Sequence, residues 1–253
     1  MNKIVLITGA TSGFGKATAE KFASHKWNCI VTGRRSERLH ELAEELRSKY
    51  DVRVLSLVFD VRDKAEVFTQ LGNLPAEWKD VDILVNNAGL ALGRDSFENA
   101  SIEDWDTMFD TNVKGLYYVT KAVLPNMIER KQGHIINLGS TAAKEVYKDG
   151  NGYCASKHAV DAFSKAMRTD LLPYSIKVTN VNPGAAETEF SIVRFKGDEA
   201  KAKAAYNGYT PLYAEDVADT IYYCATLPAH VCINDLVMTC TAQANNFYFH
   251  KEV

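Results

Sequence analysis

A tyrosine and a lysine four residues apart form a pair whose spacing could support proton transfer. Tyr153 and Lys157 lie in the helix-compatible segment YCASKHAV, so their side chains project from one face about one turn apart. A cation at ~4–6 Å favours phenolate and brings a phenol, whose ordinary pKa is about 10, closer to acid-base strength near neutrality. The pair therefore predicts a proton donor in carbonyl reduction and a base in alcohol oxidation. The same spacing also occurs on ordinary solvated helices, so its context decides.

Ser140 lies thirteen residues earlier and ends an apolar run, residues 134–139, that predicts a strand. A strand would deliver its hydroxyl to the carboxyl edge of a sheet, where we expect it to orient a substrate oxygen and stabilise its charge. Nucleophilic catalysis is disfavoured because no G-x-S-x-G turn surrounds this serine. The histidines are isolated from one another, which disfavours metal-assisted chemistry, and we predict no metal site.

Residues 8–15 read TGATSGFG and stand between an apolar run, residues 4–7, and a segment of strong helix formers. Glycines at such a turn let the backbone approach a pyrophosphate, and the positive end of the following helix favours its charge. A plain glycine turn is the alternative. The residues predicted to contact the cofactor here are Gly9, Ala10, Thr11, Ser12, Gly13, Phe14 and Gly15.

The segment VTGRRSER, residues 31–38, carries no acid where NAD-binding proteins of this kind place an Asp or Glu on the ribose 2′-hydroxyl. Arg34 and Arg35 stand there instead and could bind a 2′-phosphate with charge-assisted hydrogen bonds. The sequence therefore favours NADP(H) over NAD(H). The alternative is that both arginines only solvate a loop.

These residues require a sheet whose strands end at one edge. Apolar runs of strand length alternate with helical patterns, and the predicted strands are residues 3–8, 29–32, 52–59, 83–86, 134–139, 176–182 and 236–239. Near-continuous apolar strands are typical of a parallel sheet buried on both faces. We predict an α/β, Rossmann-type doubly wound sheet of about seven strands with helices on both faces, forming a single domain over residues 1–253. The polar stretch at about 188–208 is expected to be an insertion that covers the substrate.

Composition narrows the function classes. The chain has 253 residues, 46% of them hydrophobic, and a formal charge of −3, without the basic excess that nucleic-acid binding normally needs. No apolar run is long enough for a bilayer span or a signal peptide, and the five cysteines form no C-x-x-C pair. We therefore expect a cytoplasmic protein with reduced thiols and neither nucleic acid nor membrane as a partner.

Taken together, TGATSGFG, the Asn86-Asn87-Ala88-Gly89 segment, Asn112, Ser140, the Y-x-x-x-K pair and Pro183-Gly184 occur in the order and at the intervals typical of one family. The chain resembles the short-chain dehydrogenase/reductase family over nearly its full length. The resemblance implies a catalytic group of Asn112, Ser140, Tyr153 and Lys157, with Lys157 also holding the nicotinamide ribose and Asn112 ordering a water. It further implies homotetramers and additional cofactor contacts at Asp60, Val61, Asn87, Pro183, Gly184 and Thr188.

Longer phrases, such as LPAEW at 74–78 and VRFKGD at 193–198, resemble the NADP-dependent 3-hydroxy acid dehydrogenase subgroup. This implies hydride transfer between NADP(H) and the hydroxyl or carbonyl of a small acid. We predict that Arg194, flanked by Val193 and Phe195, binds the acid group, the alternative being a surface salt bridge with Glu189 or Asp198. A sulfoacetaldehyde-type or other small-carbonyl reductase, a non-catalytic NADP-sensing protein and a purely structural oligomer remain as alternatives.

Overall fold

The computed structural model describes residues 2–252 and contains a seven-stranded parallel sheet. Its strands are β1 (Ile4–Ile7), β2 (Asn28–Gly33), β3 (Val54–Val58), β4 (Ile83–Asn86), β5 (Gly133–Leu138), β6 (Ile176–Pro183) and β7 (Asp235–Met238). Each lies within two residues of its predicted bounds at either end. The predicted α/β class, parallel sheet and strand number are confirmed.

Helices connect the strands across both faces of the sheet. They are α1 (Gly13–Ser24), α2 (Ser36–Tyr50), α3 (Lys64–Gly72), α4 (Ile102–Phe109), α5 (Leu116–Arg130), α6 (Asn151–Asp170), α7 (Glu189–Arg194), α8 (Glu199–Ala204) and α9 (Ala214–Thr226). Short 3₁₀ turns lie at Ala76–Trp78, Phe97–Asn99, Thr141–Ala143 and Leu172–Tyr174. One large apolar cluster forms on each face, the first including Phe22 of α1 and Ile221 of α9, the second including Val67 of α3 and Val119 of α5. Every residue of β1, β2 and β4 is buried because both faces of these strands are covered.

The strand order is β3-β2-β1-β4-β5-β6-β7, and all neighbouring pairs are parallel. The order reverses direction between β1 and β4. In open α/β sheets, ligands bind beyond the carboxyl ends of the strands at such a switch point. The glycine turn after β1 and the asparagines that end β4 therefore meet at the edge where a ligand is expected.

A turn of π-helix, Asp110–Gly115, lies between α4 and α5 and carries Asn112. Gly115 faces Val61 so closely that a Cβ would lie 2.7 Å from Val61 Cγ2. The segment from 102 to 130 thus consists of two α-helices joined by a wider turn. Single π-turns of this kind are frequent at functional sites.

Among residues 2–252, no helix combines the length and the apolar character that crossing a bilayer requires.

Candidate active site

The glycine turn has no room for side chains. Gly9 and Gly13 have φ of +66° and +51°, and a Cβ on Gly15 would lie 2.4 Å from Gly9 O. Asn87 fastens the turn to the end of β4, since its Nδ2 donates to Thr8 O at 2.8 Å and to Gly9 O at 3.1 Å. The backbone is therefore fixed with its face open toward the groove.

This turn borders a cavity of about 290 Å³ that runs along the carboxyl edge of the sheet. Residues predicted to bind cofactor that line it are Gly9, Thr11, Ser12, Gly13, Phe14, Arg34, Arg35, Asp60, Val61, Asn87, Tyr153, Lys157 and Thr188. Ala10 is fully buried and Gly15 packs under the turn, so these two residues do not line the cavity. Within the described residues, the hydroxyls of Thr32 and Thr111, which also line the cavity, have no hydrogen-bond partner.

The predicted arginines lie at one end of this cavity and differ in their partners. Arg34 is 57% exposed and approaches Asp60 at 3.6 Å. Arg35 lies over the glycine turn, donating from Nε and Nη2 to Thr11 Oγ1 at 3.1 and 2.8 Å and from Nη2 to Ser12 Oγ at 2.8 Å. Its Nη1 donates to Glu189 Oε2 at 2.9 Å. Arg35 is therefore held by defined hydrogen bonds, and the alternative in which both arginines only solvate a loop does not apply to it.

Asp60 is the carboxylate closest to Arg34 in this region. Partial burial acts to raise its pKa, but hydrogen bonds from the Arg62 side chain and backbone outweigh burial and hold the pKa below its usual value. Arg62 Nε and Nη2 donate to Asp60 Oδ2 at 3.0 and 2.7 Å. Asp60 thus stays ionised and is engaged mainly by Arg62, which leaves Arg34 weakly held.

Tyr153 and Lys157 project from the same face of α6, as predicted, and both are buried. Lys157 Nζ lies 5.9 Å from the centre of the Tyr153 ring and donates to Leu138 O at 2.7 Å. Burial raises the pKa of Tyr153 well above its ordinary value, and the nearby Tyr147 acts in the same direction. Burial also lowers the pKa of Lys157 to about 8.

The expectation that Lys157 lowers the pKa of Tyr153 toward neutrality is wrong for this structure. Lys157 is directed at a backbone carbonyl, and the loss of solvent around the phenol dominates instead. Tyr153 is consequently a protonated phenol at neutral pH.

Ser140 stands immediately after β5 and starts the turn Thr141–Ala143, where its Oγ accepts from Ala142 N at 3.1 Å. Its backbone N–H donates to Asn182 Oδ1 at 3.2 Å. A Cβ on Gly139 would lie 2.0 Å from that same oxygen, so the glycine makes room for the asparagine. Asn182 Nδ2 donates in turn to Asp235 Oδ1 at 2.6 Å, and Asp235 pairs with Lys144 at 2.7 Å. A polar network that runs from the buried Asn182 to the partly exposed Asp235 and Lys144 therefore fixes the backbone that carries the Ser140 hydroxyl.

Asn112 uses its whole amide to join the π-turn to the loop after β4 and to α6. Its Oδ1 accepts from Leu90 N at 2.8 Å, and its Nδ2 donates to Leu90 O at 2.8 Å and to Ser156 Oγ at 3.0 Å. Asn112 Oδ1 and Lys157 Nζ both lie next to Gly89, at 3.2 and 3.6 Å from the position of a Cβ there. Asn112 therefore lies beside Lys157, and its own hydrogen bonds join the π-turn to the loop after β4 and to α6.

A second cavity, of about 400 Å³, adjoins the first at Tyr153 and contains Ser140, Pro183, Gly184 and Arg194 in its wall. No Asp or Glu from residues 2–252 lines it. Helix α7, which follows the capping residue Thr188, borders both cavities. The predicted insertion thus forms two short helices, α7 and α8, of which α7 lies beside the switch point.

Arg194 is partly buried in this second cavity and its guanidinium carbon lies 5.6 Å from the centre of the Tyr153 ring. Its Nη2 donates to Tyr147 Oη at 3.0 Å, and its buried Nε has no hydrogen-bond partner among the described residues. The alternative salt bridges do not form, because Glu189 pairs with Arg35 and Arg38 and Asp198 pairs with Lys201. A guanidinium without a carboxylate partner thus borders a cavity that no Asp or Glu of the described residues lines.

Comparison with known proteins assigns this arrangement to a family. The model of the short chain dehydrogenase family matches residues 3–198. The chain belongs to the short-chain dehydrogenase family. The resemblance inferred from the motifs is confirmed.

Similar members of this family include two curated bacterial enzymes and one solved structure. The NADP-dependent 3-hydroxy acid dehydrogenase YdfG of Escherichia coli (strain K12) is 50% identical over 242 residues, covering 95% of this chain and 96% of that enzyme. Sulfoacetaldehyde reductase 2 of Chromohalobacter salexigens is 52% identical over 245 residues, covering 96% of both. The closed form of a serine dehydrogenase complexed with NADP⁺ has a TM-score of 0.92 and 49% identity, covering 98% of this chain and 100% of that one.

In this short-chain dehydrogenase, the tail after β7 folds back onto its own chain. Asn246 exchanges hydrogen bonds with Thr141, and its backbone N–H donates to Glu145 Oε2 at 3.1 Å. Gln243 Oε1 accepts from Ala185 N at 2.8 Å. The tail therefore borders the second cavity and is tied to the turn that begins at Ser140.

Sequence reasoning missed several members of this short-chain dehydrogenase site. Tyr147 and Asn182 carry no motif, because their contacts to Arg194 and Ser140 arise only in the folded chain. Arg38 could have been found, since it lies only three residues beyond Arg35, in the first turn of α2, and it pairs with Glu189 at 2.9 Å.

Proposed function

We propose that this chain is an NADP(H)-dependent oxidoreductase that acts on the hydroxyl or carbonyl group of a small acid, such as a 3-hydroxy acid or its semialdehyde. The observation that carries the substrate class is Arg194, a guanidinium without a carboxylate partner that lies beside Tyr153. The names of the relatives support the reaction class and the cofactor.

The residues along the first cavity fit a dinucleotide. The turn of Gly9 and Gly13 leaves backbone groups open where a pyrophosphate would lie, and the N-terminus of α1 adds a favourable field. Arg34 and Arg35 supply the positive charge that a 2′-phosphate requires. Thr32 and Thr111 offer unpartnered hydroxyls along the same wall. When bound, the nicotinamide supplies or accepts the hydride.

In the reducing direction, Tyr153 gives its phenolic proton to the carbonyl oxygen. The raised pKa of Tyr153 keeps this proton in place at neutral pH, which suits a donor. Ser140 holds the same oxygen through its hydroxyl, on a backbone fixed by Asn182. Lys157 adds positive charge beside the phenol as the negative charge develops there.

In the oxidising direction, the same phenol must first lose its proton. Because its pKa lies above the ordinary value, oxidation is expected to accelerate with rising pH, whereas reduction is not. Lys157 has a pKa of about 8 and loses its charge above that pH. The rate of oxidation should therefore stop increasing above about pH 8.

Arg194 binds the acid group and so orients the neighbouring carbon toward Tyr153. A fork of N–H donors matches a carboxylate or a sulfonate, and the surrounding aromatic rings exclude water and strengthen the contact.

The test is a spectrophotometric assay of NADPH consumption with malonic semialdehyde and with propanal, which lacks the acid group. NADP⁺ reduction with serine and 3-hydroxypropanoate examines the reverse direction. Strong preference for the acids supports the proposal. Equal use of propanal would contradict acid recognition by this site.

Sulfoacetaldehyde is a second candidate substrate, favoured by the 52% identity to a sulfoacetaldehyde reductase. A sulfonate and a carboxylate ask for similar cationic recognition, so the assay includes both at matched concentration. The ratio of their kcat/KM values decides between the two acids. Activity with neither, alongside intact NADPH binding, would instead favour an NADP-sensing protein.

We also predict that the chain forms homotetramers in the cytoplasm, as its family membership and its sequence lead us to expect. Analytical ultracentrifugation of the purified protein and fractionation of its host cell test these two expectations separately.

A further inference from the structure

A carboxylate from α7 lies among the arginines assigned to the adenosine end of the groove. Glu189 Oε2 accepts from Arg35 Nη1 at 2.9 Å, while Arg38 Nη1 donates to Glu189 Oε1 and Oε2 at 2.9 and 3.0 Å. The hydrogen bond from Arg35 is the main cause that lowers the pKa of Glu189, so this side chain is ionised at neutral pH. Its negative charge is thus paired with Arg35 of the turn after β2 and with Arg38 of the first turn of α2.

A 2′-phosphate and this carboxylate would ask for the same donors. The Nε and Nη2 atoms of Arg35 are engaged by Thr11 and Ser12, and Nη1 is the group turned to Glu189. A phosphate dianion near Arg35 must therefore either displace the Glu189 carboxylate or lie beside a like charge. Both raise the free energy of the complex.

Glu189 also begins the helix that ends at Arg194. Thr188 caps this helix with its Oγ1 accepting from Phe190 N at 3.2 Å, and Val193 and Phe190 border the first cavity. Release of Glu189 from the arginines would remove the ion pairs that join the first turn of α7 to the turn after β2.

We propose that Glu189 is a specificity-determining residue whose carboxylate, held by Arg35 and Arg38, competes with the 2′-phosphate for Arg35, and thereby limits NADP(H) affinity and couples 2′-phosphate binding to α7. This inference rests on the proposed NADP(H) function. It assigns opposite effects to neighbouring charges, since the arginines strengthen binding of the phosphate and Glu189 weakens it.

The decisive variant is Glu189→Gln, which keeps the size of the side chain and removes its charge. Calorimetric titration with 2′,5′-ADP and with 5′-AMP uses ligands that carry the adenosine end alone, so the readout does not depend on turnover. We expect the variant to bind 2′,5′-ADP about three- to tenfold more tightly, because exposed ion pairs contribute modestly, and 5′-AMP with unchanged affinity. Raising the salt concentration should reduce the difference.

The matched control is Asp198→Asn, which neutralises another acid of the same insertion. Asp198 caps α8 and pairs with Lys201 at 3.3 Å, and asparagine retains the capping function. We expect this variant to bind both ligands as the unmodified chain does.

Hydrogen exchange supplies the second measurement. In the unmodified chain, 2′,5′-ADP is expected to speed exchange in peptides that cover residues 189–197, and 5′-AMP is not. The Glu189→Gln variant should exchange rapidly with or without ligand.

Three results would overturn the inference. Equal or weaker binding of 2′,5′-ADP by Glu189→Gln would show that the carboxylate does not compete. Identical exchange with both ligands would remove the coupling to α7. If the unmodified chain binds 5′-AMP as tightly as 2′,5′-ADP, the NADP(H) assignment itself fails and the inference fails with it.

Discussion

The two ends of the groove hold positive charge in opposite ways. At the adenosine end, Arg34 and Arg35 are about half exposed, and each has a carboxylate within 4 Å, Asp60 for the first and Glu189 for the second. At the catalytic end, Lys157 is buried and donates to a backbone carbonyl. Each arginine at the adenosine end therefore has a carboxylate partner, whereas the buried ammonium of Lys157 has none among the described residues.

This contrast predicts where substitutions matter. Water solvates and screens an exposed charge that is paired with a carboxylate, so removal of such a charge changes affinity by modest factors. Buried charges without a carboxylate partner are expensive to keep and are retained where a reacting group needs them. We therefore expect decisive effects at the catalytic end and graded effects at the adenosine end.

The largest effect is expected for Tyr153→Phe, which deletes the proton that reduction requires. Activity should fall by about 10²–10⁴-fold, while the dissociation constant of NADPH, measured by fluorescence titration, should change little. Tyr174→Phe is the control, since Tyr174 lies in the short turn before β6, at the opposite edge of the sheet. Activity of Tyr153→Phe within a few-fold of the unmodified enzyme would remove Tyr153 from its role.

The next largest effect is expected for Arg194→Met, which keeps the apolar stem of the side chain and removes the guanidinium. KM for an acidic aldehyde should rise by about ten- to 100-fold, in line with charged hydrogen bonds of ~1.5–3 kcal/mol, and KM for an uncharged aldehyde should not. Lys196→Met is the control because Lys196 is exposed and pairs with Asp104 at 2.8 Å. If both aldehydes suffer alike, Arg194 orders α7 and the acid-binding group lies elsewhere.

The same contrast explains how far sequence reasoning could reach. β4 was predicted to the residue, because its apolar run is continuous and bounded by polar residues. The ends of β6 and β7 differ because pairing with a neighbouring strand decides them, as where Asn180 faces Asp235. Chemistry that follows directly from a strand end or a helix turn, as for Ser140, could be predicted from local pattern.

Contacts that join distant segments could not be predicted in this way. Arg35 and Glu189 are 154 residues apart in sequence, and nothing in the pattern around either indicates the other. The raised pKa of Tyr153 could not be predicted for a related reason, since it arises from burial in the folded chain and, in second place, from the nearby Tyr147. Types and spacing thus identify reacting groups, whereas their electrostatics depend on the tertiary structure.

A graded effect is expected at the adenosine end. Arg34→Ala should weaken NADPH binding by about tenfold and NADH binding little, because this guanidinium is weakly held by Asp60 and can turn to a phosphate. Arg35→Ala should have a smaller specific effect, since Arg35 is already engaged by Thr11, Ser12 and Glu189. Fluorescence titration with both cofactors measures the ratio, and an equal loss for NADPH and NADH would contradict the assignment.

The smallest effect is on stability and concerns the buried lysine. Burial lowers the pKa of Lys157 to about 8 from an ordinary value of 10.5, so between these values the unfolded chain binds more protons than the folded one. The free energy of unfolding should therefore rise as pH increases from about 8 to 10.5, while below pH 8 the cost of the buried ammonium is fully present. Lys157→Met removes this cost and should raise the free energy of unfolding at pH 7 by about 1–2 kcal/mol, or Tm by ~2–6 °C. Lys165→Met, at an exposed position of the same helix, tests whether a lysine on α6 has this effect in general.

Thermal unfolding at pH 7 and at pH 10 measures both variants. A destabilised Lys157→Met protein would mean that the hydrogen bond to Leu138 O outweighs desolvation, and that the catalytic end is not held under electrostatic strain.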